Sequence, residues 1–192
     1  MSTSHLAVLG GKPEFEETLH VGRPNVGDRV RLAERFDEVL DRVWFTNNGP
    51  MVQKFEQTLA NRFAVRHVIA VCNATLGLEI ATRAAGVEGE VVVPSFTFVA
   101  TAHAIQWQGL TPVFADVVPS THLIDVDSVE SLITPRTTAI LGVHTWGVGC
   151  ETEALQRLAA RKGLTVMYDA AHAIGCTHRG RPFGSNGLAE VF

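Results

Sequence analysis

Short apolar runs alternate with longer amphipathic stretches from residue 67 to the last residue. The runs cover residues 68–72, 90–93, 111–115, 138–143 and 165–168, and the helical patterns between them cover 76–85, 99–107, 127–133 and 153–162. Apolar runs without alternation are typical of strands that are covered on both faces. Alternating strands and helices therefore predict an α/β fold with a mostly parallel sheet and helices on both of its faces.

The first part of the chain has a different pattern. Residues 1–46 predict an arm followed by an amphipathic helix from Asp28 to about Arg42, with one apolar face to pack. A dense turn signal at 46–50 precedes a second helix over 51–63. We therefore expect two parts, residues 1–46 as arm and helix and residues 47–192 as the compact domain.

The end of the sequence predicts two small features. Residues 175–184 are typical of a hairpin, and residues 188–192 begin another apolar run. A core strand that stops there would leave unpaired backbone groups. We expect the domain to be incomplete at its C-terminal end, so that the sequence is a fragment.

Charge and cysteine content exclude some classes of protein. The net charge is −4, and the 16 Lys and Arg residues are scattered, so no basic patch predicts binding to nucleic acid. No apolar run approaches the roughly 18 residues of a membrane span. The three cysteines lack disulfide-framework spacing, which favours a cytoplasmic protein with core thiols.

Asp169 is a candidate site residue because it directly follows an apolar strand. Ligands of open α/β sheets bind at the carboxyl ends of the strands. Two alanines leave space beside this carboxylate before His172. The alternative is that Asp169 caps a turn or a short helix.

Two further segments follow predicted strands. Cys72–Thr75 opens a helix, whose free backbone N–H groups suit a phosphate, with the Thr75 hydroxyl as a further donor. An ordinary cap by Asn73 or Thr75 is the alternative. In the segment 94–101, Phe96 and Phe98 either stack on a flat ring or belong to the core.

A metal site is the competing interpretation of the polar residues near the end of the chain. Asp169, His172, Cys176, His178 and His144 are of the types that bind zinc. Their spacing repeats no known zinc motif, so we predict no metal. A metal-dependent hydrolase that uses Asp169, His172 and Cys176 stays an alternative.

Together these segments resemble the DegT/DnrJ/EryC1/StrS nucleotide-sugar aminotransferases of fold type I, from about residue 20 to the end. Within that family the chain is most similar to dTDP-4-amino-4,6-dideoxyglucose transaminases. The segments that carry the resemblance are Asn47–Pro50 with Phe55–Glu56, Cys72–Thr75, Pro94–Thr101, Pro112–Asp116, Ile133–Arg136, Asp169–Ala173 and Gly180–Gly184.

The resemblance implies a pyridoxal 5′-phosphate (PLP) site in the large domain of that fold. Asp169 would keep the pyridine nitrogen protonated, and His172 would lie near the ring's 3-oxygen. Phe98 would cover one face of the ring, and Ala171 would let the other face approach the backbone. The phosphate would bind at Asn73, Ala74 and Thr75, where family members usually carry Ser-Gly-Thr.

The resemblance also implies a lysine that forms the Schiff base, in a segment that follows the equivalent of Phe192. Lys12, Lys54 and Lys162 match no such position, and the C-terminal small domain is absent. We therefore expect the given chain alone to be inactive.

The implied reaction moves an amino group from L-glutamate to a nucleotide-linked, dTDP-type 4-keto-6-deoxysugar in deoxysugar and antibiotic biosynthesis. The protein would be a homodimer with shared active sites, and Asn48 and Trp146 would contact the substrate. Two alternatives stay open. One is a sugar 3-dehydratase of the same family, with histidine in place of the lysine, and the other is a non-catalytic binding or regulatory module.

Overall fold

The computed structural model describes residues 6–20, 22–184 and 187–192. It divides into two units, Met1–Gly49 and Pro50–Phe192. Residues 1–5 and Val21 of the predicted arm lie outside the described residues. The predicted domain boundary at residue 47 stays a prediction.

The first unit contains one long helix. After a short 3₁₀ turn at Ala7–Leu9, helix α1 covers Arg29–Arg42, and the Asp28 carboxylate accepts hydrogen bonds from the N–H groups of Val30 and Arg31. The helix is confirmed and its cap explains where it begins. Among the described residues of this unit nothing covers the apolar face, where Phe36 and Leu40 are about 60% exposed, and the expected packing of this face stays a prediction.

The second unit contains the sheet. Its helices are α2 (Pro50–Phe63), α3 (Ala74–Ala84), α4 (Val99–Trp107), α5 (Val126–Leu132) and α6 (Thr152–Lys162). Its strands are β1 (Glu90–Pro94), β2 (Thr111–Ala115), β3 (Thr137–Val143), β4 (Thr165–Asp169), β5 (Thr177–His178), β6 (Arg181–Pro182) and β7 (Ala189–Val191). The main sheet has the order β2-β1-β3-β4-β7 and every pair in it is parallel. Strands β5 and β6 form the predicted hairpin.

Helices cover both faces of the sheet, as predicted. Val91 and Met167 pack with Leu78 of α3 and Ile105 of α4 on one face. The other face packs against α5 and α6 in a cluster that includes Val92, Ile140, Tyr168, Val129, Leu155 and Leu158. Successive residues of a strand point to opposite faces, so β4 directs Tyr168 to one layer and Met167 and Asp169 to the other.

Residues 68–72 are not a strand, so that prediction is wrong. Ile69 is 76% exposed, and the backbone N–H of Ala70 donates to the Glu56 carboxylate at 2.8 Å. A strand needs a neighbour for its backbone groups. Among the described residues no strand pairs with this segment, although its composition suits one.

Helix α3 approaches β7 closely because position 77 is glycine. A Cβ atom there would lie 2.7 Å from Cγ1 of Val191 and 3.3 Å from Cγ2 of Val71. The absence of a side chain lets the helix axis approach the sheet. The first turn of α3 is thereby held near the ends of β4 and β7.

A buried carboxylate begins β1. Glu90 accepts hydrogen bonds from the Thr134 hydroxyl at 2.6 Å and from Nε of Arg136 at 2.9 Å. The Thr134 bond, and next the Arg136 bond, hold the pKa of Glu90 below its ordinary value. This network ties the loop before β3 to the start of β1.

Of the three cysteines predicted to be core thiols, only Cys150 is buried, while Cys72 is exposed and Cys176 is partly exposed. Burial raises the pKa of Cys150 to about 12. In the part of the chain that the structure describes, no helix is long and apolar enough to cross a membrane.

Candidate active site

A cleft of about 420 Å³ opens at the carboxyl ends of the parallel strands. Its walls come from the start of α3, the loop before α4, the end of β3 and the end of β4. The predicted site residues that it brings together are Ala74, Thr75, Phe98, Trp146, Asp169, Ala171 and His172.

Asn73 does not line this cleft. The Asn73 side chain caps α3, and its Oδ1 atom accepts from the N–H of Leu76 at 3.0 Å. The capping alternative therefore describes the Asn73 side chain. Asn48 belongs to the first unit, and its proposed contact with substrate stays a prediction.

Asp169 is a buried carboxylate at the end of β4, 7% exposed. Its Oδ2 atom accepts from the Thr101 hydroxyl at 2.8 Å, and its Oδ1 atom accepts from the N–H of Ala171 at 3.2 Å. The two bonds fix the orientation of the carboxylate at the edge of the cleft. The Ala171 bond is the turn-capping interaction expected as the alternative, so the same side chain closes a turn and borders the cleft.

The first turn of α3 offers backbone donors to the cleft. Asn73 satisfies the N–H of Leu76, while the N–H groups of Ala74 and Thr75 have no acceptor within the helix. The positive end of the helix dipole adds to the attraction for an anion. An anion with several oxygens fits this corner.

Two phenylalanines before α4 face the cleft and are largely exposed, Phe96 at 43% and Phe98 at 69%. The core alternative is therefore wrong for both. Ala171, in the loop after β4, supplies a small side chain to the same cleft. An aromatic ring and a small residue in one cleft leave room for a flat ligand.

His172 joins the loop after β4 to the loop after β3. Its Nδ1 atom accepts from the N–H of Trp146 at 3.3 Å. Since Nδ1 accepts, Nε2 carries the proton in neutral His172 and can donate it. Trp146 has a left-handed φ of 53°, which a residue with a side chain rarely adopts, so this turn is strained.

Gly147, next to Trp146, lets the two loops approach each other. A Cβ atom at this position would lie 3.0 Å from Sγ of Cys176 and 3.2 Å from the carbonyl oxygen of His172. The φ of Gly147 is 80°, a conformation that favours glycine. Both the contact and the backbone conformation therefore require glycine.

Trp146 also belongs to a cluster of three rings at the cleft. Its ring meets the rings of Phe96 and His122 edge to face at 5.6 and 5.4 Å. Phe96 and His122 are 5.4 Å apart. The cluster joins the loops after β1, β2 and β3 on this side of the cleft.

His144 is buried with its ring on the Tyr168 side of the sheet. The ring stacks on Tyr168 at 4.9 Å and contacts Phe183 at 4.3 Å, and its Nδ1 atom accepts from the N–H of Cys150. Burial, and next the charge of His178, lower the pKa of His144 to about 4. His144 is therefore a neutral, buried residue whose Nδ1 atom already accepts a hydrogen bond.

The arrangement gives no support to a hydrolase with a metal. Among the described residues, no group of three or more His, Cys, Asp and Glu side chains could hold a metal ion. Asp169 and His172 both line the cleft, whereas Cys176 packs with a small cluster of Ala170, Ala173 and Phe183.

Two threonines were not predicted as site residues. Thr101 is fully buried in the first turn of α4, and Thr97 lines the cleft four positions earlier. Their hydroxyl oxygens are 2.7 Å apart. Their spacing of four residues could have indicated that they contact each other. The hydrogen bond from Thr101 to Asp169, however, spans 68 positions of sequence.

The family model described as "DegT/DnrJ/EryC1/StrS aminotransferase family" matches residues 28–192. The chain belongs to this family. The resemblance inferred from its motifs is thereby confirmed.

Curated and solved members of the family include proteins that are similar to this chain. The dTDP-4-amino-4,6-dideoxy-D-glucose transaminase of Escherichia coli is 40% identical over 165 residues, which cover 86% of this chain and 44% of that protein. The crystal structure of DesI in the presence of its TDP-sugar product has a TM-score of 0.89 at 51% identity, covering 98% of this chain and 48% of DesI. The chain thus spans less than half the length of these members.

A third member of the DegT/DnrJ/EryC1/StrS family bears on the cofactor. NtdA from Bacillus subtilis, solved with bound cofactor PMP (pyridoxamine phosphate), has a TM-score of 0.74 at 35% identity. The match covers 78% of this chain and 34% of NtdA. The family is one of nucleotide-sugar aminotransferases that bind this type of cofactor.

Proposed function

We propose that the complete protein is a PLP-dependent aminotransferase that moves the amino group of L-glutamate to a dTDP-linked 4-keto-6-deoxysugar. The observation that carries the proposal is the buried Asp169 carboxylate, which shares one cleft with the first turn of α3 and with Phe98. The similarity to the E. coli transaminase and to DesI supports the sugar class.

The residues of the cleft fit PLP by their chemistry. The N–H groups of Ala74 and Thr75, with the Thr75 hydroxyl, would bind the phosphate at the positive end of α3. Phe98 and Ala171 would border the two faces of the ring. Asp169 would accept a hydrogen bond from the protonated pyridine nitrogen, and Nε2 of His172 would donate to the ring oxygen.

When bound, PLP supplies an electron sink for the carbon that loses its proton. This chain's contribution is to bind, to orient and to hold charge. An ionised Asp169 would keep a proton at the ring nitrogen, because a buried negative charge favours a positive partner. Phe98 would cover one face of the ring.

The substrate side of the proposal uses Trp146 and Asn48. Trp146 lines the cleft and is 63% exposed, so its ring can pack against a sugar. Asn48 is proposed on the sequence alone. The homodimer with shared active sites and the role in antibiotic biosynthesis stay predictions.

The proposal concerns the complete protein because a basic side chain must carry the proton that the substrate carbon loses. Among the described residues of the second unit, neither Lys54 nor Lys162 lines the cleft. The chain also spans about 44% of the length of the curated transaminases. A lysine from another segment would complete the site.

The test uses the purified complete protein loaded with PLP. L-Glutamate should convert bound PLP to pyridoxamine phosphate, seen as a change in cofactor absorbance, with one 2-oxoglutarate formed per site. A dTDP-4-keto-6-deoxysugar should then restore the first spectrum and yield an amino sugar by mass spectrometry. A protein that retains PLP but shows no change with glutamate would overturn the proposal, and release of a dehydrated sugar instead would identify the 3-dehydratase alternative.

A further inference from the structure

Thr101 connects α4 to the end of β4 through one buried hydrogen bond. Its hydroxyl oxygen lies 2.8 Å from Oδ2 of Asp169, and both residues are buried. Strand β4 delivers the carboxylate and α4 fixes one of its oxygens. The other oxygen, Oδ1, accepts from the N–H of Ala171.

The direction of the hydrogen bonds follows from the number of protons. An ionised carboxylate only accepts, so the single hydroxyl proton of Thr101 is donated to Asp169. The 2.7 Å contact between Thr97 and Thr101 then requires Thr97 to donate. The result is a one-way chain from Thr97 to Thr101 to Asp169.

This chain of hydrogen bonds begins at the cleft and ends at the Asp169 carboxylate. Thr97 is half-buried and lines the cleft, whereas Thr101 is fully buried and reaches the cleft only through its neighbours. Thr97 donates its hydroxyl proton to Thr101, so toward a ligand its oxygen can only accept a hydrogen bond. Thr101 cannot touch a ligand and acts through Asp169.

We propose that Thr97 and Thr101 are positioning residues that fix the orientation of the Asp169 carboxylate toward the ring nitrogen of the cofactor. The inference rests on the proposed function. A hydrogen bond from a neutral donor to a buried charge is strong and directional. Without it, Asp169 can rotate, and the Ala171 bond alone defines its position.

The test measures binding of pyridoxamine 5′-phosphate, which needs no covalent bond, by calorimetry on the complete protein. T101V keeps the shape of the side chain but removes the donor, and Kd should rise by about 10- to 100-fold. T101S keeps the donor and should bind like the wild type. The absorbance maximum of the bound cofactor should move in T101V and stay in T101S.

The role of Thr97 is tested by a double-mutant cycle. T97V alone should weaken binding several-fold, since Thr101 loses its partner. In the T101V background T97V should have no further effect, because the chain is already broken. If the two substitutions instead raise the Kd independently, so that their effects multiply, the proposed hydrogen-bond chain is wrong.

Thr82 gives a matched control. It is also a buried helical threonine, and its hydroxyl has no hydrogen-bond partner among the described residues. T82V should leave Kd and absorbance unchanged. If T101V and T82V bind pyridoxamine 5′-phosphate with the same Kd, the inference is wrong. If T101V fails to fold, an unchanged Kd in T97V would overturn the inference instead. Failure of the wild type to bind pyridoxamine phosphate would instead overturn the proposed function.

Discussion

Oδ1 of Asp169 accepts a hydrogen bond from the backbone N–H of Ala171 at 3.2 Å, so the carboxylate at the cleft also closes the turn that follows it. A side chain that accepts from the N–H two positions later stabilises a turn whatever its charge. The charge is needed only for a ligand. An amide at this position therefore separates the two roles.

In the complete protein, and on the proposed function, D169N is expected to fold and to lose activity. Asparagine has nearly the same shape, and its amide oxygen can still accept from Ala171, but it provides no negative charge for a protonated ring nitrogen. We expect transamination to fall by on the order of 100-fold or more. Activity and thermal unfolding should be measured together, with D127N, at an exposed carboxylate of α5, as the control. Activity close to the wild type would contradict the assigned role of Asp169.

G77A is expected to destabilise the protein by about 1–3 kcal/mol. A Cβ atom at position 77 would lie 2.7 Å from Cγ1 of Val191, inside van der Waals contact. The smaller side chain of V191A should relieve part of the clash, so urea unfolding of G77A, V191A and the double variant should show favourable coupling. At an unconstrained helix position, alanine would instead stabilise by roughly 1 kcal/mol, and that result would contradict the close packing.

The Glu90 network predicts a loss of stability in acid. The pKa of Glu90 is below its ordinary value of 4.5 in the folded state, so the unfolded state binds the proton first as the pH falls. The stabilisation is complete above pH 4.5 and is lost as the pH falls through the folded-state pKa. E90Q should reduce the slope of the urea midpoint against pH between pH 3 and 6. E130Q, which removes an exposed partner of Arg161, should keep the wild-type slope.

His144 predicts a second pH effect in a different range. Its pKa is about 4 when folded, against an ordinary value of 6.5, so between these values only the unfolded state takes up the proton. Stability should therefore fall by up to about 3 kcal/mol as the pH drops from 6.5 to 4 and then level off for this residue.

H144F tests the His144 effect. It keeps a ring between Tyr168 and Phe183 but removes the titrating nitrogen and the acceptor for Cys150. A lower but flatter stability profile across pH 4 to 6.5 is expected by urea denaturation. A slope equal to that of the wild type would show that His144 does not titrate as inferred.

Much of the fold could be predicted because its signals are local. The apolar periodicity predicted the start of α1 to within one residue, and the helical pattern of residues 76–85 lies within two residues of the observed start of α3 at Ala74. The order of strands and helices predicted the parallel sheet, because right-handed crossovers leave few alternatives. The segment 68–72 was mispredicted, since a strand also depends on a neighbour that its own sequence does not specify.

The candidate site was predictable where it lies at strand ends, and not where it depends on packing. Asp169 and Ala74 follow or begin elements, so their position indicates the cleft. Thr101 meets Asp169 only because α4 packs on the sheet, a contact across 68 positions that no local pattern contains. The burial of His144 likewise results from the rings of Tyr168 and Phe183.

The alternation along β4 has a consequence for engineering. Asp169 and Tyr168 are adjacent in sequence, yet one borders the cleft and the other is buried in the layer of α5 and α6. Variation of cleft residues such as Phe96 and Trp146 leaves that layer untouched. A library of cleft variants can thus sample one side of the sheet while the other side keeps the scaffold folded.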